Sequence, residues 1–183
     1  MHITFVTSNN EKYKIAQTIL KNKGIGIDQF CWDDNEIQSC DICEISRKSA
    51  LAAFRHLKRT VAVTDVGFYI TALKGFPGPF VKYVNYYLDA NDIIKLMSHI
   101  SNREIIVKEC LTIIDLHGRI QQYNSSFEGS VAHEAMCCPE GKSSSFEKIF
   151  IPKGARYPIS LLAEKQRFEF WKTGSSWNFV GKF

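Results

Sequence analysis

No apolar run in the 183 residues approaches the roughly 20 needed to span a bilayer, and the first residues enter a strand pattern with no signal-peptide signature. The expectation is a soluble, cytoplasmic protein with no membrane partner. Blocks of five or six like charges are also missing; the net charge of +4 comes from scattered basic residues. With no aromatic-basic stacking pattern either, an anionic small molecule is favoured as partner and nucleic acid is not expected. There is no disulfide-rich scaffold. Of the six cysteines (Cys31, Cys40, Cys43, Cys110, Cys137, Cys138), Cys40 and Cys43 have the C-x-x-C spacing of a zinc or redox pair, and Cys137-Cys138 offers further ligands. Adjacent cysteines chelate one ion poorly, so reduced, partly buried thiols are the default. No internal repeat or low-complexity segment interrupts the chain. A composition 45% hydrophobic and 23% charged over this length supports one substantial core, and a single domain over residues 1–183 is predicted.

What is present is organised around residues 2–22. Ile3, Thr4, Phe5 and Val6 read as a short buried strand, while Ile15, Ala16, Ile19 and Leu20 recur at helical spacing. Between them lies Thr7-Ser8-Asn9-Asn10-Glu11-Lys12, in which Ser8, Asn9 or Asn10 can cap the helix. A strand, a tight polar turn and a helix N-terminus favour an anion, and Lys12 adds a full positive charge beside it.

Further along, Gly26–Trp32 reads as a second strand, followed by the acidic turn Asp33-Asp34-Asn35-Glu36. An amphipathic helix is predicted from near Ser46 to the basic residues Lys58 and Arg59. Val61, Ala62 and Val63 read as a buried strand with Asp65 at its end, where open α/β sheets place functional side chains. Gly75-Phe-Pro-Gly-Pro79 is a rigid loop. Helices are predicted over Phe80–Leu88, with Lys82 in the first turn, and from Asn91-Asp92, burying Ile93, Ile94, Leu96, Met97 and Ile100. Ile105, Val107 and Leu111–Ile114 read as strand, Asp115–Gly118 as a hairpin turn and Ile120–Val131 as the return. Residues 139–145 read as a loop, Phe146–Ile151 as a last short strand and Leu161–Trp171 as a helix. The tail from Thr173 has no clear period.

Four features share one kind of location, the ends of strands or the starts of helices. They are Thr7-x-Asn9-x-x-Lys12, Glu36 in Asn-Glu-Ile-Gln, Asp65 in Val-Thr-Asp-Val-Gly, and Lys82 in Phe-Pro-Gly-Pro-Phe-Val-Lys. With Lys48 they make three lysines, two carboxylates and a phosphate-sized polar turn. Polyphosphate hydrolysis needs such a set: cations to neutralise phosphate oxygens, and carboxylates to hold Mg²⁺ and orient a water.

In this order the fragments resemble the inosine triphosphate pyrophosphatase family, from residue 3 to about residue 165. Phe127-Glu-Gly129 is similar to the family's Phe-x-Gly, Phe150-Ile-Pro-Lys-Gly154 to its Phe-x-Pro-x-Gly, and Glu164-Lys165 to the Glu-Lys before its base-recognition motif. The resemblance implies an α/β fold, with a long curved mixed β-sheet and flanking helices forming two lobes around a central cleft, and a homodimer. It implies Mg²⁺-dependent hydrolysis between the α and β phosphates of deaminated or otherwise unusual purine nucleotides, giving a nucleoside monophosphate and pyrophosphate. On it, Thr7, Asn9 and Lys12 cradle the triphosphate, Lys48 and Lys82 neutralise it, and Glu36 and Asp65 hold Mg²⁺ or orient the water. Catalysis is expected of Asp65, Glu36 and Lys12.

The chain also departs from the family. Thr64 stands where a second acid usually precedes the aspartate, which predicts lower activity or help from Asp33 or Asp34. The Ser-His-Arg triplet that reads the purine six-position oxygen is missing after Glu164-Lys165, where the sequence runs Gln-Arg-Phe-Glu-Phe-Trp-Lys172. The family's aromatic approach to its base pocket is here Ser144-Ser-Phe-Glu-Lys148, leaving Phe146, Glu147 and Lys165 as the substrate-binding residues expected on that side. Altered base specificity follows, since a site rejects analogues through the polar groups they would leave unpaired. The alternative is a catalytically weakened nucleotide-binding sensor or partner subunit.

Overall fold

The computed structural model of the chain describes residues 2–32, 36–136 and 144–181. Along the chain run β1 (His2–Val6), α1 (Asn10–Lys21), β2 (Gly26–Phe30), α2 (Ile42–Leu57), β3 (Val61–Ile70), β4 (Pro77–Gly78), α3 (Val81–Tyr87), α4 (Ala90–Leu96), β5 (Glu104–Ile114), β6 (Ile120–Val131), β7 (Phe150–Pro152) and α5 (Glu164–Gly174). The strands form one open mixed sheet in the order β2-β1-β3-β5-β6-β7, with β4 paired to β3. β1 is parallel to both β2 and β3, whereas β4 and β7 run antiparallel to their partners. The chain packs as two compact units: Met1–Val66, Glu109–Ser125 and Phe170–Phe183 form the first, Gly67–Lys108 and Ser126–Glu169 the second.

In the first unit, strand alternation assigns the two helices to opposite faces of the sheet. Ile3, Phe5, Ala62, Leu111 and Ile113 pack with Ala16, Ile19 and Leu20 of α1. Val61, Val63 and Ile114, one residue out of phase, pack with Ala50 and Ala53 of α2. The crossovers from β1 to β2 through α1 and from β2 to β3 through α2 thus leave β1 between β2 and β3, and the turns after β1 and β2 emerge at one end of the sheet, where α/β folds bind ligands.

α2 starts a turn before the expected Ser46, because Asp41 caps it: the Asp41 carboxylate accepts from the Cys43 N–H at 2.8 Å. β3 does not stop at Val63. It runs ten residues, so Asp65, expected at the strand's end, lies inside it, and Gly67 is buried in it as well. Pairing with β4 through Phe68 and Gly78 extends it, and a Cβ at Gly67 would lie 2.9 Å from the Gly78 carbonyl oxygen.

The second unit centres on Phe68, Phe146 and Phe150, with ring centroids 5.0 Å apart for Phe68–Phe146 and 6.2 Å for Phe68–Phe150. Gly129 of the Phe-x-Gly fragment lets β7 approach β6, since any Cβ there would collide with the Ile151 backbone. The last short strand is Phe150–Pro152, later than expected, because residues 145–149 form turns. On α4, which opens at Ala90 behind an Asp89–Asp92 capping box, Ile93 and Met97 are buried while Leu96, expected inside, is 48% exposed. The predicted helix over Leu161–Trp171 divides into a 3₁₀ turn, Ile159–Leu161, and α5.

The tail without a period is part of the core of the first unit. Ser176–Phe179 forms a 3₁₀ turn that buries Trp177 edge-on against Phe5, centroids 4.9 Å apart. Lys23 Nζ donates to the carbonyls of Asn178 and Val180, both at 2.6 Å. The Glu109 carboxylate accepts from Ser176 N at 2.7 Å and from the hydroxyls of Ser175 and Ser176 at 3.0 and 2.8 Å. Among the described residues, no helix is long and apolar enough to cross a membrane.

Candidate active site

The turn after β1 is built by its own side chains. Asn9, one of three possible caps, takes the position: its side-chain oxygen accepts from the N–H groups of Glu11 and Lys12 at 2.9 and 3.1 Å. The Thr7 hydroxyl oxygen accepts from Asn9 N at 3.1 Å, leaving the hydroxyl proton free to donate. Two of the N–H groups at the helix start are therefore used by the cap, and the Asn10 N–H has no acceptor among the described residues. From β2, Gln29 Nε2 donates to the Thr7 carbonyl at 3.0 Å and to Asn10 Oδ1 at 3.2 Å. Sequence reasoning passed over Gln29; its signal is the register of β2 on β1, Gln29 opposite Phe5, visible only once the strands are paired.

The parallel register of β1 on β3, Thr4 opposite Val61 and Phe5 opposite Ala62, brings the Thr7 turn level with residues 64 and 65 when it is continued. Alternation puts Asp65 on the same face as Val61 and Val63, the one that α2 covers. The consequence is electrostatic. Burial pushes the Asp65 carboxyl up to about 6; Lys12 and a hydrogen bond from the Val66 backbone oppose the rise, and Glu36 adds to it. Two other residues singled out in the sequence, on separate segments, thus bear on Asp65. Asp65 Oδ2 and the Thr64 hydroxyl are buried without a hydrogen-bond partner among the described residues. Such an orphaned carboxylate oxygen fits a hard cation, and the exposed Glu36, whose charge reaches Asp65, is the candidate for a second oxygen donor. The described residues contain no group of three or more His, Cys, Asp or Glu arranged to hold a metal by themselves. Two carboxylates completed by phosphate oxygens and water are a donor set suited to Mg²⁺ rather than to zinc.

Lys48 is an exposed residue of α2 in the same unit and forms no ion pair within 4 Å among the described residues. Lys82, Phe146, Glu147 and Lys165 belong to the second unit. Lys82 is exposed in the first turn of α3 and Lys165 in that of α5. Phe146 is fully buried. The Glu147 carboxylate accepts from Ser144 N at 3.0 Å while Glu147 N donates back to the Ser144 hydroxyl at 3.3 Å. Asp33 and Asp34, expected as possible help for Asp65, lie outside the described residues, as do Cys137 and Cys138. Cys31, Cys40, Cys43 and Cys110 are free thiols.

The model of the Ham1 family matches residues 3–170. Among curated proteins the chain is 31% identical over 166 residues to the dITP/XTP pyrophosphatase of Pyrobaculum aerophilum, covering 90% of this chain and 86% of the relative. It is 32% identical over 168 residues to the dITP/XTP pyrophosphatase of Methanopyrus kandleri, covering 91% and 87%. A solved HAM1 protein from Coxiella burnetii superimposes with a TM-score of 0.79 at 16% identity, covering 94% of this chain and 97% of that one. A nucleoside-triphosphatase/dITP/XTP pyrophosphatase from Mycobacterium abscessus gives 0.76 at 15% identity, covering 95% and 94%. At these identities the structures attest the fold, a mixed α/β sheet flanked by helices, and the matched family model together with the curated relatives attests the lineage: the chain belongs to the Ham1 family.

Proposed function

We propose that this chain is a nucleoside triphosphate pyrophosphatase, hydrolysing the α–β phosphate bond to give a nucleoside monophosphate and pyrophosphate. The observation that carries the proposal is the buried Asp65 carboxylate, one oxygen of which has no partner among the described residues, with Lys12 and Glu36 both bearing on its charge. The names of the curated relatives, dITP/XTP pyrophosphatases, support the same chemistry.

Each residue has a defined task. The Thr7 hydroxyl and the Asn10 N–H donate to phosphate oxygens, Asn9 holds the turn in shape, and Lys12 neutralises the charge that builds on the phosphates. Lys48 and Lys82 contribute further positive charge. Asp65, once ionised, accepts the proton of the attacking water or orients it, and Glu36 shares the metal. Mg²⁺, held by Glu36 and Asp65, would supply charge neutralisation at the scissile phosphate. The enzyme acts in the cytoplasm as a homodimer, on deaminated or otherwise unusual purine nucleotides. Its base preference departs from the family pattern because Phe168, Phe170 and Trp171 occupy the stretch where Ser-His-Arg is expected.

A panel of nucleoside triphosphates assayed with Mg²⁺ for pyrophosphate tests activity and specificity together. Pyrophosphate from at least one purine triphosphate, without an exclusive preference for inosine or xanthosine triphosphate, is expected. The second reading, a nucleotide-binding sensor, is favoured by Thr64 replacing an acid. Tight nucleotide binding with no pyrophosphate from any triphosphate would establish it in place of the enzyme.

A further inference from the structure

The face of the sheet under α2 carries a polar cluster that the phosphate chemistry does not use. Gln122 Nε2, from β6, donates to the Cys43 carbonyl at 2.8 Å and to the Thr112 hydroxyl at 3.0 Å, and lies 3.6 Å from Cys110 Sγ. One amide thus ties the first turn of α2 to β5. Ser46 Oγ completes the tie by donating to Thr112 Oγ1 at 2.7 Å. The Cys43 thiol donates to Asn124 Oδ1 at 3.3 Å, and the amide that holds its carbonyl is the one that reaches Cys110 Sγ. Two free thiols from segments far apart in sequence are therefore gathered around one amide, one half-exposed and one fully buried.

We propose that Cys43 and Cys110 form a site of reversible oxidation, closing to a disulfide under hydroperoxide and fastening the start of α2 to β5. The C-x-x-C spacing points instead to Cys40 and Cys43, but Cys40 is exposed ahead of the Asp41 cap, while Cys43 lies in the first turn of α2 that Gln122 ties to β5. In the first step the accessible Cys43 sulfur attacks the O–O bond of hydrogen peroxide, becomes a sulfenic acid and releases water. In the second the Cys110 sulfur attacks the Cys43 sulfur, and the displaced hydroxyl leaves as water with the Cys110 proton. Two thiols lose two electrons in all and one peroxide is reduced to two waters. Burial first, then the Cys43 hydrogen bond, push the Cys110 thiol up to about 12. Cys110 is thus the resolving sulfur, and the second step is the slow one. Neither sulfur belongs to the set around Asp65.

The test is mass spectrometry of the full chain treated with hydrogen peroxide, mapped without reduction. The intact mass is expected to fall by about 2 Da as two thiol hydrogens are lost, with the Cys43 and Cys110 peptides joined until dithiothreitol separates them. A variant with Cys31, Cys40, Cys137 and Cys138 changed to Ser should still form the bridge, and Cys110→Ser should leave Cys43 as a sulfenic acid captured by dimedone. A bridge from Cys43 to Cys40, or Cys43 advancing to sulfinic acid in wild type whose circular dichroism stays native, would overturn the proposal. Should the fourfold variant not fold, the wild-type peptide map decides alone.

Discussion

Asp65 carries opposed demands. Its ordinary value is 3.8, and burial raises it to about 6 in the folded chain. Between those two values the folded state holds a proton that the unfolded state has released, so stability falls as pH rises from about 4 to about 6. Above that, the buried charge costs on the order of 3 kcal/mol. Asp65→Asn should therefore raise the urea-unfolding free energy at pH 7.5 without metal by about 1–3 kcal/mol and leave it nearly unchanged at pH 4. A variant less stable than wild type at both pH values would contradict the burial argument. Activity runs the other way, because only the ionised carboxylate binds a cation or accepts a proton. The acid limb of kcat/KM is expected near pH 6 at low Mg²⁺ and should move downward as Mg²⁺ competes with the proton. Lys12→Ala, which removes the charge opposing the rise, should move that limb above 6 and lower kcat by about 10²-fold.

At the scale of elements, α2 depends on a residue that its apolar pattern does not contain. Asp41 satisfies the Cys43 N–H, and Asp41→Ala should destabilise the fold by about 1 kcal/mol in denaturant titrations; a change under a few tenths would show that the first turn is held by its neighbours instead. The same residue shows where sequence ran short. Ile42 is buried three residues before Ile45 and belongs to the apolar face, but Cys43 and Glu44 behind it obscure the period, and the Asp41 cap fixes the true start. β3 was legible only to Val63, since Thr64-Asp65-Val66-Gly67 looks like a turn, and its continuation is imposed by β4 across Phe68 and Gly78. By contrast the Thr7–Lys12 turn was plain in the sequence, because a polar stretch between an apolar strand and an amphipathic helix has few other structures available. Which of its three candidate caps is used was not, and the hydrogen bonds assign it to Asn9.

Over the whole molecule, family membership and fold were legible because the motifs recur in one order along most of the chain. Less so was the tail from Thr173. Its short 3₁₀ turn has no periodicity, and the burial of Trp177 comes from contact with Phe5, far away in sequence. Trp177→Ala should cost about 3–5 kcal/mol and lower the thermal midpoint accordingly; a loss below about 1 kcal/mol would show that the tail only rests on the first unit. The central claim, that Lys12, Glu36 and Asp65 act together on one polyphosphate, is tested most directly by measuring pyrophosphate released from purine triphosphates by wild type and Asp65→Asn with Mg²⁺. Release by wild type, falling at least about 100-fold in the folded variant while nucleotide binding persists, is predicted. Equal release by both proteins would contradict it.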